Sequence, residues 1–207
     1  MSWDRALFLN LTYWTGDDVL CEERIPADVV AHVAWHNLAA RALPPTSATP
    51  AASALFFGES IASAFDVYLI GRLLPNAPDS DFITTQVPIM SDCAQAAGIS
   101  EAAFTALLEQ VARAPEAAFA ELRALLFDAA KALSACADAR AAHAALAQFD
   151  AQRFAPLLHH FQLSNWILYA RAYAGPADDD RVQALDAALR QAPVALDWLA
   201  KQWLPAE

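Results

Sequence analysis

The chain has 207 residues, 57% of them hydrophobic and only 18% charged, with a mean hydropathy of +0.25, a balance that excludes intrinsic disorder because enough apolar surface is available to offset chain entropy. Its 24 acids and 13 bases leave a formal charge of −11, which disfavours phosphate backbones and anionic lipid surfaces as partners. Five glycines are too few for a glycine-rich phosphate loop or for most all-β folds, and the length suits one domain, 1–207, rather than two.

Met1-Ser2-Trp3-Asp4-Arg5 carries an acid where a secretory signal carries its basic region. A first helix is expected over 3–14, capped by Ser2 and closed at Thr15-Gly16. Pro26 suits the first position of a second helix over 26–43, which Pro44-Pro45 stop. A third helix covers 52–74. It approaches membrane-spanning length, but Glu59, Asp66 and Arg72 would each cost roughly 2–3 kcal/mol at membrane depth, so it reads as a buried helix. Residues 79–90, with Ile83, Thr84, Thr85, Val87 and Pro88, read as an extended connector.

Helices follow over 92–97, 101–113, 115–135 and 137–149. Phe119, Leu122, Leu126 and Leu133 recur at helical spacing in the third of these. Asp150 reads as the N-cap of a long apolar helix ending before Gly175-Pro176. Asp178-Asp179-Asp180 place negative charge at the start of the next helix, and a last helix over 194–204 carries Trp198 and Trp203. The expected class is therefore all-α: a single-domain bundle of about eight to ten helices, with an antiparallel pair, 26–43 and 52–74, at its centre. Cys21, Cys93 and Cys136 are odd in number and in no ligand spacing, which suits reduced core thiols in a cytoplasmic protein.

The segment Asp92-Cys93-Ala94-Gln95-Ala96-Ala97-Gly98-Ile99-Ser100-Glu101-Ala102-Ala103-Phe104 resembles the helix-turn-helix of bacterial repressors, with Ala94, Gly98, Ile99 and Phe104 at the positions that motif needs. The second helix would then present Glu101, Ala102, Thr105, Ala106 and Glu109 to the DNA, with no Arg, Lys or Asn to reach bases or phosphates. An ordinary helical corner is the reading, and no nucleic-acid partner is expected.

Two polar seams carry the chemistry. Asp28, His32 and His36 fall within about 80° of arc on one helical wheel, surrounded by Val29, Val30, Val33, Trp35 and Leu38. Glu59, Ser63 and Asp66 fall within about 60° on the next, among Phe56, Phe57, Ile61, Phe65 and Ile70. A helix apolar on nearly all sides belongs inside a bundle. Counting from the intervening turn, His36 and Glu59 both lie seven residues deep, His32 and Ser63 eleven, and Asp66 fourteen, so the seams meet at one level.

Two histidines facing two carboxylates form a donor set for Fe, Mn or Zn. The candidate metal ligands are His32, His36, Glu59 and Asp66, with His159 or His160 from the late helix; adjacent residues point about 100° apart, so those two cannot both face one centre. Neither the Glu-x-x-His pairs of di-iron bundles nor the His-Glu-x-x-His of zinc proteases is present.

Three functions follow. The first is a metal-dependent oxidoreductase or hydrolase acting on a small, partly apolar substrate, with Glu59 or Asp66 as general base if no metal is used. The second is a small-molecule-binding protein whose pocket includes Trp35, Ser63, Tyr68 and Trp166. The third is a homodimeric structural or interaction protein joined through Trp198 and Trp203, its seams being internal hydrogen-bonded pairs.

Overall fold

A computed structural model describes residues 11–14, 17–20, 25–44, 51–157 and 180–204. Eight helices lie among the described residues: α1 Ala27–Ala42, α2 Ala52–Leu73, α3 Asp81–Ala96, α4 Glu101–Arg113, α5 Pro115–Ser134, α6 Ala139–Ala147, α7 Asp180–Gln191 and α8 Ala195–Trp203. The all-α class holds. The only strands among the described residues are β1, Leu11–Trp14, and β2, Asp17–Leu20, an antiparallel hairpin in which Leu11 faces Leu20 and Trp14 faces Asp17. This corrects the helix expected over 3–14 at residues 11–14, where Thr12, Tyr13 and Trp14 favour a pleated ribbon; the rest of that expected helix lies outside the described residues.

The short connections fall where prolines and caps put them. Pro26 stands one position outside α1 as its N-cap, and the Ala27 N–H donates instead to Asp81 of α3 at 3.3 Å. Gly98 adopts φ 79° between α3 and α4, a conformation glycine enters without steric cost, and the Ser100 hydroxyl then caps α4 by accepting from Ala103 N–H. Pro115 opens α5 where its missing N–H costs nothing. The exposed face of α4, Glu101, Ala102, Thr105, Ala106 and Glu109, lines a shallow concavity of about 430 Å³ that offers two carboxylates and no cation.

The extended connector expected over 79–90 is also corrected, because α3 runs straight through it with Pro88 inside. Proline removes one helical hydrogen bond, the one that the Thr84 carbonyl would accept, and the Thr84 and Thr85 hydroxyls turn back to the carbonyls of Ser80, Asp81 and Phe82 in the preceding turn. Phe82, Ile83 and Met90 are buried. Tertiary burial outweighs local propensity here.

The core runs from Phe57, Ile61 and Ile70 of α2 to Val111 of α4, Phe119 and Phe127 of α5 and Leu199 of α8, all with 0% exposure. Helix α2 contacts α1, α3, α4, α5 and α7, most extensively α5, where Phe57 meets Phe127 edge to face at 5.3 Å. Its length and apolarity alone would allow it to cross a membrane, yet within the fold it packs against five of the other described helices. The close approaches are made by glycine. A Cβ on Gly71 would stand 2.8 Å from the Val111 carbonyl, and one on Gly58 would stand 3.3 Å from Ala39 Cβ.

Helix α1 differs from the encased cylinder expected of it. Ala27, Val30, Ala34 and Arg41 are exposed, so one face of α1 looks outward while Val33, Trp35 and Ala39 pack inward. Alanine and valine leave the two faces nearly indistinguishable in sequence. The long apolar helix expected after Asp150 lies mostly outside the described residues, which end on that side at Leu157.

Candidate metal centre

Helices α1 and α2 run antiparallel, and their close contact at Ala39 and Gly58 brings the two seams face to face. His36 Nε2 lies 3.2 Å from Glu59 Oε2, His32 Nε2 lies 3.7 Å from Glu59 Oε1, and the two Nε2 atoms are 3.1 Å apart. The imidazole centroids are 4.8 Å apart with the rings tilted by 57°. One helical turn separates the two histidines, so a single backbone segment delivers both. The Ser63 hydroxyl, a turn beyond Glu59, donates to its Oε1 at 3.0 Å.

Side-chain exposures of 23%, 22% and 19% for His32, His36 and Glu59 place the cluster at the edge of the packed pair, shielded but within reach of solvent. Asp66 stands on the other side of His32, with its Oδ2 2.8 Å from Nδ1. It does not join the three converging groups. Asp28, one turn before His32, is buried and accepts from the Gln86 amide at 3.0 Å. Gln86 comes from α3, in the segment read as a connector, so no sequence signal pointed to it.

These distances suit a metal ion. Donors about 2.0–2.1 Å from a tetrahedral ion stand about 3.3–3.4 Å from one another; the two Nε2 atoms at 3.1 Å and His36 Nε2 to Glu59 Oε2 at 3.2 Å come close to that value, while His32 Nε2 lies 3.7 Å from the other Glu59 oxygen, Oε1. His32, His36 and Glu59 are a cluster whose potential ligand atoms all fall within 4.8 Å of one another. Two imidazoles and one carboxylate leave coordination positions open. That donor set serves catalytic zinc as well as non-haem iron.

The electrostatics favour a cation. Burial works against charge on His32, but Asp66 and Glu59 outweigh it and hold the imidazole well above its ordinary 6.5. Burial likewise opposes ionisation of Glu59, yet His32 and His36 hold it well below its ordinary 4.5. Asp66 is pushed up from 3.8 by burial against the pull of His32, with Glu59 and Asp28 adding like charge. Among the described residues no Lys or Arg pairs with Asp28, Glu59 or Asp66. With two Nε2 atoms only 3.1 Å apart, one proton has to lie between them; an ion that accepts both lone pairs removes that requirement.

The other sequence candidates fall differently. Trp35 is buried, edge to face with Phe65 at 5.0 Å and 6.4 Å from Trp203, while Tyr68 stacks on Phe65 at 5.5 Å. Trp198 and Trp203 both pack against the core. His159, His160 and Trp166 lie outside the described residues. No protein family, curated protein or solved structure matches this chain.

Proposed function

We propose that this protein is a metal-dependent enzyme built on a helical bundle. In this reading a single Fe, Mn or Zn ion is held by His32, His36 and Glu59, and its open positions face water and a small, partly apolar substrate. The observation that carries the reading is the convergence of two Nε2 atoms and one carboxylate at 3.1–3.7 Å on the half-buried edge of an otherwise apolar helix pair. The bound ion would polarise a substrate oxygen or lower the pKa of a bound water, and with iron it would bind oxygen. Glu59, aligned by Ser63, is then a ligand rather than a free general base.

Elemental analysis of tag-free protein prepared without chelator tests the proposal. One equivalent of Fe, Mn or Zn, lost in His32→Ala while helicity is unchanged, supports it and leads to oxygen-consumption and hydrolysis assays. Failure to acquire any of the three ions, even when they are supplied, refutes it. Ligand-dependent Trp quenching that survives a chelator would then favour the small-molecule-binding reading.

A further inference from the structure

The His32 ring is gripped from behind. Its Nε2 faces His36 and Glu59, while its Nδ1 lies 2.8 Å from Asp66 Oδ2. A neutral imidazole has one N–H, and placing it on Nδ1, donated to Asp66, leaves the Nε2 lone pair for an ion. Building on the metal-centre reading above, we infer that Asp66 is a positioning residue: it fixes the tautomer and ring plane of His32 so that Nε2 is presented to the metal.

Asp66 sits in the middle of α2, one turn from the fully buried Ala62 on one side and Ile70 on the other, and its side chain keeps only 12% exposure. Its Oδ1 is buried with no hydrogen-bond partner among the described residues, so the bond from Oδ2 to His32 is the one that holds the carboxylate. His32 retains 23% side-chain exposure, so its ring is not enclosed on every side and relies on Asp66 for its orientation at Nδ1. The ring orientation is therefore set by α2, which packs against five other described helices. A carboxylate behind a ligating imidazole also raises its basicity, favouring a zinc- or iron-type ion over harder, oxygen-seeking magnesium.

The test is Zn2+ affinity together with the visible absorption of the Co2+-loaded full chain. Asp66→Ala is expected to bind one equivalent about 10–100-fold more weakly and to change the Co2+ spectrum, because the ring is no longer fixed. Asp66→Asn, whose amide oxygen still accepts from Nδ1, should keep the wild-type spectrum with an intermediate affinity. Asp28→Asn, equally buried but bonded to Gln86, should also keep the spectrum.

Wild-type affinity and spectrum in Asp66→Ala overturn the inference. So does an Asp28→Asn spectrum changed as much as that of Asp66→Ala, since loss of buried charge alone would then be the cause. If Asp66→Ala does not fold, an unchanged Zn2+ affinity in Asp66→Asn has the same force. A wild-type chain that takes up no ion refutes the metal centre and this inference together. Uptake that His36→Ala abolishes and Asp66 substitutions leave untouched refutes this inference alone.

Discussion

Arg123 is buried with 1% exposure, and its Nη1 donates to Asp186 of α7 at 2.7 Å. Asp186 also accepts from Arg190 Nε, which lies 3.0 Å from each of its carboxylate oxygens, and Arg190 reaches on to Asp128 at 2.8 Å. Asp186→Ala would leave the Arg123 guanidinium buried without that partner, a change that costs about 3–5 kcal/mol out of a total stability on the order of 5–15 kcal/mol. At about 2–4 °C per kcal/mol for a chain of this size, the melting temperature should fall by roughly 6–20 °C. Arg123→Met removes the buried charge while leaving Asp186 to Arg190, so it should cost under about 2 kcal/mol. The double variant should recover most of what Asp186→Ala loses. Urea unfolding followed by circular dichroism measures all three. An Asp186→Ala variant within about 1 kcal/mol of wild type, or a double variant as unstable as Asp186→Ala, refutes the reasoning.

Other expectations follow from the centre and its support. Because the fold raises the pKa of His32, that group stabilises the metal-free protein fully below 6.5, and the contribution is lost as pH rises through the raised value. Glu59 contributes above 4.5 and is lost as pH falls through its lowered value, with Asp66 acting in the opposite sense at that acid edge. An ion replaces the His32 proton, so Zn2+ affinity should rise about tenfold per pH unit up to the folded pKa of His32; a flat profile by competition titration contradicts this. Gly58→Val should push α1 from α2 beside Glu59, costing about 1–3 kcal/mol and weakening metal uptake, whereas uptake equal to wild type would separate the helix contact from the site. Gly71→Ala should destabilise despite alanine's better helix propensity, since the new Cβ would meet the Val111 carbonyl at 2.8 Å; a raised melting temperature would contradict the close packing of α2 on α4 and α5.

Prolines and caps made much of the helical layout legible. The expected 52–74, 101–113 and 115–135 differ from α2, α4 and α5 by one residue or none at each end, since Pro115 and Ser100 act locally. The seam was legible because polar groups spaced four apart on an apolar helix form a single stripe, which has to meet polar partners inside the bundle. Depth counting from the turn then brought His36 opposite Glu59, where the structure has them 3.2 Å apart. What depended on distant partners was hidden. Pro88 and its β-branched neighbours obscured α3, whose helicity comes from burial of Phe82, Ile83 and Met90, and with it the Gln86 contact to Asp28. Arg123 looks like one more long surface side chain on an amphipathic helix; its burial depends on Asp186, 63 residues away. The different placements of Asp66 and Glu59 depend on which nitrogen of the His32 ring each meets, Nδ1 or Nε2, and a helical wheel does not distinguish them.

The most direct measurement is anomalous diffraction from crystals of the Zn2+-loaded protein. The account predicts one strong peak between α1 and α2, about 2.0–2.2 Å from His32 Nε2, His36 Nε2 and a Glu59 oxygen, with Asp66 still bonded to Nδ1. A zinc-loaded crystal with no peak there, or with its ion bound elsewhere while His32, His36 and Glu59 remain bonded to one another, would contradict it.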